Sequence, residues 1–119
     1  MAHGEKDEIF REWIRTHHLF RCLICDATAE VCHLESGGLG GKKGSDYFVW
    51  PGCHEHHMDR DHASRGQRHV VRTGLWDVAL AMWWYRLYMI HDQYLEYLQE
   101  ARPEKHRAAA AAIHSYRDA

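Results

Sequence analysis

Two pairs of metal-ligand residues recur in the chain at the same gap: Cys22 and Cys25, then Cys53 and His56, with residues 26–52 between the pairs. Two thiolates spaced this way reach one ion from a tight turn, and a structural zinc takes four such ligands in a tetrahedron. One ion held by both pairs would tie the ends of segment 22–56 together, leaving that segment few folds to adopt. His54 and Cys32 compete with His56 for the fourth place. The role expected of the zinc is folding energy, because 119 residues at 45% apolar composition support one domain with a small core.

Four cysteines and twelve histidines are a dense supply of ligands for a chain of this length. The first 20 residues carry charges throughout and show no signal-peptide pattern. No apolar run reaches the roughly 20 residues that a bilayer span needs. A cytoplasmic, reducing setting is therefore expected, where cysteines bind metal rather than pair as disulfides.

Helical patterns flank this segment. Residues 5–18 read as an amphipathic helix, with Ile9, Phe10, Trp13 and Ile14 at helical spacing among charges. The glycine-rich stretch 36–46 reads as a loop between two strands of a hairpin, Ala29–Leu34 and Tyr47–Trp50, the second ended by Pro51 and Gly52. A further helix is expected from Cys53 to about His62. Residues 75–100 carry the longest helical pattern, and its block 75–90 is apolar on nearly all sides. Such a helix is either buried in the core or a homodimer or complex-partner surface. Pro103 marks its end, and the alanine run within 104–119 reads as a frayed or peripheral helix with little to pack. The fold class expected is α+β and mostly helical, in a single domain over 1–119 with its core at about 20–65.

The stretch 22-CLICDATAEVCHLESGGLGGKKGSDYFVWPGCHEHHMDRDH-62 resembles the ββα-metal core of HNH endonucleases. It is similar in particular to their phage-associated branch, where a C-x-x-C knuckle leads to a histidine strand, a glycine-rich loop and a helix opened by a histidine pair. The lead-in 13-WIRTHHLFRC-22 resembles that branch as well. The resemblance implies roles residue by residue. His33 stands at the position of the general base, which takes a proton from the attacking water; imidazole, with an intrinsic pKa of about 6.5, suits this task near neutral pH. Asp46 stands where the family braces the loop and orients that histidine. His57 matches a ligand of a catalytic divalent ion, which could be Mg2+, Mn2+, Ni2+ or Zn2+. Its fellow ligand is Asp61, four residues on along one helix face, or His62, five residues on and roughly 140° round the helix from His57, or both. The chain departs from the family at Cys32, where many members carry Asp or His as a further ligand: either the ion has one fewer protein ligand, as in members with alanine there, or the thiolate biases the site toward softer metals.

The resemblance implies DNA as partner, gripped by its backbone with little base reading. Lys42, Lys43, Arg60 and Arg65, with Arg68 and Arg72, are the candidate phosphate contacts, a local positive patch on a chain of net charge −2. The alternative function is a catalytically silent zinc module that binds nucleic acid or protein.

Overall fold

The computed structural model describes residues 5–34, 44–62 and 73–117, and of residues 61, 62, 73 and 116 the backbone alone. The elements in chain order are α1 (Glu8–Arg15), β1 (Glu30–His33), β2 (Val49–Gly52), α2 (His54–His62), α3 (Thr73–Ala101) and α4 (Pro103–Arg117). The protein is α+β and mostly helical. The sheet formed by the described residues is one antiparallel hairpin, with His33 opposite Val49 and Glu30 opposite Gly52. None of the described helices is long and apolar enough to cross a membrane.

Helix α1 is shorter than the 5–18 that its periodicity suggests. Asp7 caps it, accepting the Phe10 amide at 2.9 Å from an extended backbone. At the other end the amides of Thr16 and His17 turn back onto the carbonyls of Trp13 and Ile14 at 3.1 and 3.0 Å, closing the last turn tightly. Phe10 and Ile14 are its buried face.

Strand β2 runs through Pro51 and Gly52, where a stop was expected. The reason is hydrogen-bond parity. The Leu34 amide donates to the Phe48 carbonyl at 2.9 Å. Stepping two residues at a time makes Cys32–Trp50 and Glu30–Gly52 the bonded pairs and leaves Val31–Pro51 a non-bonded one. The nitrogen of Pro51 therefore faces away from β1, and its missing N–H costs the ladder nothing. Its carbonyl, on the same outer side, accepts the Leu23 amide at 3.1 Å.

The block 75–90 divides into two faces. Trp76, Trp83, Leu87 and Ile90 are buried, and Tyr94 and Leu98 continue the same face. Along it the polar atoms of α3 find partners on every other layer. Trp76 Nε1 donates to Asp59 of α2 at 3.0 Å, Trp83 Nε1 to the Val49 carbonyl of β2 at 2.7 Å, and the Tyr94 hydroxyl to Asp7 at 2.8 Å. Burying Trp and Tyr is favourable where their polar ends reach an acceptor, and each does so here. The opposite face leaves Leu75, Val78, Met82, Tyr85 and Met89 exposed.

Helix α4 is a packed element rather than a frayed tail. Pro103 occupies its first position, where a missing N–H is harmless, so the proline starts this helix as well as ending α3. Ala109 and Ile113 are buried in the core. Arg117 donates to Asp92 at 2.9 Å and to the Tyr88 carbonyl at 2.7 Å, and its guanidinium lies 5.0 Å from the centre of the Tyr88 ring.

His91 sits fully buried on α3, its Nε2 bonded to the Tyr47 carbonyl at 2.7 Å while Nδ1 has no partner. Protonation would place a charge in the core and a second N–H with no acceptor. Burial, helped by the nearby Arg117 and opposed by the Tyr47 carbonyl and Asp92, pushes its pKa down to about 4. Between that value and the free imidazole's 6.5 the unfolded chain binds more protons than the folded one. Stability from this group is thus whole above about pH 6.5 and falls as pH drops toward 4, by about 3 kcal/mol in all. Urea titrations at about pH 7 and about pH 5 should show a smaller loss for His91→Gln than for the wild type. Equal losses would sink the assignment.

Candidate metal centre and flanking histidines

The two sequence pairs do converge. The ligand atoms of Cys22, Cys25, Cys53 and His56 all lie within 4.8 Å of one another, so these four residues are placed to hold one metal ion. Three of the separations come close to those of a filled site. Cys25 Sγ lies 3.8 Å from Cys53 Sγ, and His56 Nδ1 lies 3.4 Å from Cys22 Sγ and 3.2 Å from Cys53 Sγ. A tetrahedron with Zn–S near 2.3 Å and Zn–N near 2.0 Å has edges of about 3.8 Å between sulfurs and about 3.5 Å from sulfur to nitrogen.

Local structure explains the convergence. Residues 22–25 form a knuckle closed by the Asp26 amide donating to the Cys22 carbonyl and the Cys22 amide to the Ala27 carbonyl, both at 2.9 Å. Asp26 adopts φ 62, a left-handed conformation that Asp tolerates better than most residues. Cys53 and His56 lie at the junction of β2 and α2, and the His57 amide already closes a helical turn on the Cys53 carbonyl at 2.8 Å. That turn brings the Cys53 sulfur and the His56 ring to one side. Burial works against the Cys22 thiolate, but the amides of Cys53, Cys25 and Ile24 and the Cys25 side chain outweigh it and hold the thiol down at about 6. Burial pushes the Cys53 thiol up, and the adjacent sulfurs of Cys25 and Cys22 add to this. Three sulfurs this close share negative charge comfortably only around a cation.

The competitors for the fourth place lie elsewhere. His54 is exposed, its Nδ1 3.4 Å from Glu30. Cys32 is fully buried under the hairpin, its Sγ near the carbonyls of Glu30 and Gly52 at 3.5 and 3.9 Å. A Cβ on Gly52 would fall 2.5 Å from the Trp50 ring and 3.3 Å from the Cys32 sulfur, so the hairpin is filled at this point.

His33 and His57 are each tethered by a carboxylate. His33 Nε2 bonds Asp46 Oδ1 at 2.8 Å, and Asp46 is buried. Its other oxygen accepts the Asp7 amide at 2.8 Å and lies 3.2 Å from Arg11 Nε. That N–H is not aimed at the oxygen, so Arg11 acts through charge rather than as a hydrogen-bond donor. Asp7, the α1 cap, also accepts the Tyr47 hydroxyl at 2.6 Å and the Tyr94 hydroxyl at 2.8 Å. Burial and these bonds to an acidic neighbour push both phenol pKa values upward. His57 Nδ1 bonds Glu30 Oε1 at 2.9 Å. The Glu30 carboxyl is held below its usual range, first by that bond and further by His54.

These two histidines are not brought into one metal-holding group among the described residues. Glu30 and His33 point to opposite pleats of β1, three residues apart. The side chains of Asp61 and His62 lie outside the described residues, as do Lys42, Lys43, Arg65, Arg68 and Arg72. Arg60 is half-buried on α2. Sequence reasoning missed Glu30, an exposed strand glutamate whose partner lies 27 residues away, and nothing in the pattern signals it. It also missed the link from Asp7 to Asp46, although an aspartate just before an apolar helical run is itself a cap signal.

No family model, curated protein or solved structure matches the chain.

Proposed function

We propose that the four-residue cluster holds a structural zinc and that the chain is a metal-dependent endonuclease of the HNH kind, hydrolysing DNA phosphodiester bonds with little sequence preference. The observation that carries this reading is the pair of carboxylate-tethered histidines, His33 on Asp46 and His57 on Glu30, beside a sulfur-rich metal cluster. A cluster of three sulfurs and one imidazole selects zinc over the hard cations.

In this reading His33 is the base. An ionised Asp46 can only accept, so it fixes the proton on Nε2 and leaves the Nδ1 lone pair to take a proton from water. Arg11 and the Asp7 amide hold Asp46 in place. His57 has its Nδ1 held by Glu30, as ligating histidines usually have one ring nitrogen held, so Nε2 would be its ligand atom. Asp61 or His62 would join it. A divalent ion bound there would polarise the phosphate and stabilise the leaving oxygen. Lys42, Lys43, Arg60 and Arg65 would meet the DNA backbone.

A silent zinc module is the second reading, for which the cluster of Cys22, Cys25, Cys53 and His56 would suffice by itself. A plasmid-nicking assay with added Mg2+, Mn2+ or Ni2+ separates the two. Cutting by the wild type but not by a folded His33→Ala variant supports the enzyme; no cutting with any of the three ions leaves the module.

A further inference from the structure

We infer that the outward face of α3 pairs with the same face of a second copy of this chain, making the protein a two-fold dimer. This stands apart from the nuclease reading. The exposed apolar residues Leu75, Val78, Met82, Tyr85 and Met89 follow one another at alternate steps of three and four. That spacing puts them in a single stripe about 21 Å long, at the 3.5-residue repeat of a two-helix seam. Two further large apolar residues of α3, Trp84 and Tyr97, are 39 and 38% exposed off this stripe, whereas the five of the stripe are 52, 56, 54, 81 and 43% exposed.

Size favours an occupant. With side chains of roughly 150–250 Å2 each, those fractions leave on the order of 600 Å2 of apolar surface open per copy. This is the upper end of what a monomer usually leaves uncovered, and it approaches the roughly 800 Å2 per partner of a standard interface.

Chemistry selects the occupant. A nucleic acid would need cations here, yet from Leu75 to Met89 the exposed residues offer one, Arg86, countered by Asp77. Toward its N-terminal half the residues flanking the seam are small: Gly74, Ala79 and Ala81 let another helix approach closely, and nothing lies within 4 Å of where a Gly74 Cβ would be, while Arg86 and Tyr88 flank the other half. A partner helix must repeat the same three-four spacing to interlock, and α3 itself carries it. Self-pairing also avoids charge conflict. In a parallel pair Arg86 meets Ala81 of the other copy, and in an antiparallel pair centred on Met82 it lies across from Val78 and Ala79, so in neither arrangement does it face its own equivalent.

The test is sedimentation of the full, metal-loaded chain in reducing buffer at about 1 to about 100 μM, concentrations that span ordinary dimer affinities. The wild type is expected at twice the 14.0 kDa chain mass at the upper end. Val78→Glu combined with Tyr85→Glu should sediment as a monomer throughout, its dissociation constant raised at least about 100-fold. Glu100→Lys, at the far end of α3 and off the stripe, should leave the dimer intact. Circular dichroism checks folding, and should the double variant unfold, Tyr85→Glu alone, at the most exposed position, carries the test. A wild type that stays monomeric, or a folded seam variant that stays dimeric, overturns the proposal.

Discussion

Cys53→Ser is expected to abolish stoichiometric metal binding and to cost the folded state more than truncating any single side chain of the core. The cluster ties the knuckle at residues 22–25 to the start of α2, closing a loop over 26–52. Zinc bound to such a ligand set contributes on the order of 10 kcal/mol to folding near neutral pH, comparable to the whole stability of a small domain. With serine at position 53 the Cys25 sulfur and the Cys22 sulfur, the latter 3.4 Å from His56 Nδ1, have no ion to share. The expected result is one zinc per wild-type chain by metal analysis, none in the variant, and loss of the cooperative melting transition. A chelator strong enough to strip the wild type should reproduce it. Cys32→Ala is the control: this thiol is buried outside the cluster, so the variant should keep its zinc and lose only packing, about 1–2 kcal/mol. If Cys53→Ser retains zinc and melts like the wild type, the cluster is not a metal site.

His33→Ala is expected to lower the DNA-cutting rate by about 100- to 10,000-fold, the range over which a positioned general base acts, or about 3–5 kcal/mol of barrier. The fold should survive. The substitution removes a ring that is 11% exposed from the end of β1, while Asp46 keeps the Asp7 amide and the Arg11 charge as partners. Zinc content and DNA affinity should therefore match the wild type, and the loss should fall on the rate at saturating DNA. Asp46→Asn should cut more slowly than the wild type but faster than His33→Ala, because an amide oxygen can still accept from Nε2. A His33→Ala protein that nicks plasmid at the wild-type rate would remove this residue from the chemistry.

Ligand chemistry was the most legible part of the sequence because it is nearly independent of packing. The gaps between Cys22 and Cys25 and between Cys53 and His56 state what the side chains can reach, and the fold brings those four together. The approximate places of α2 and α3 were legible for a related reason, since apolar periodicity and the histidine-rich start are local. What was not legible depended on partners far along the chain. Whether Pro51 could sit in a strand turned on which of its sides faced β1, set by the Leu34–Phe48 pairing. Helix α4 looked unpacked because alanine carries little apolar signal, yet Ala109 and Ile113 are buried. The block 75–90 read as apolar all round because its two faces carry residues of similar hydropathy; only burial tells Trp83 from Tyr85.

Helix α3 supplies neither a candidate base nor a metal ligand, yet Trp76, Trp83, His91 and Tyr94 fasten α2, β2, the turn before β2 and the cap of α1 to one rod. The forty-odd residues that would hold the proposed chemistry are consequently no cassette to be cut out and grafted elsewhere. Any minimal version of this protein, natural or engineered, must carry its scaffold along, and shortening the chain from its C-terminus would strip away supports before it touched a single reactive group.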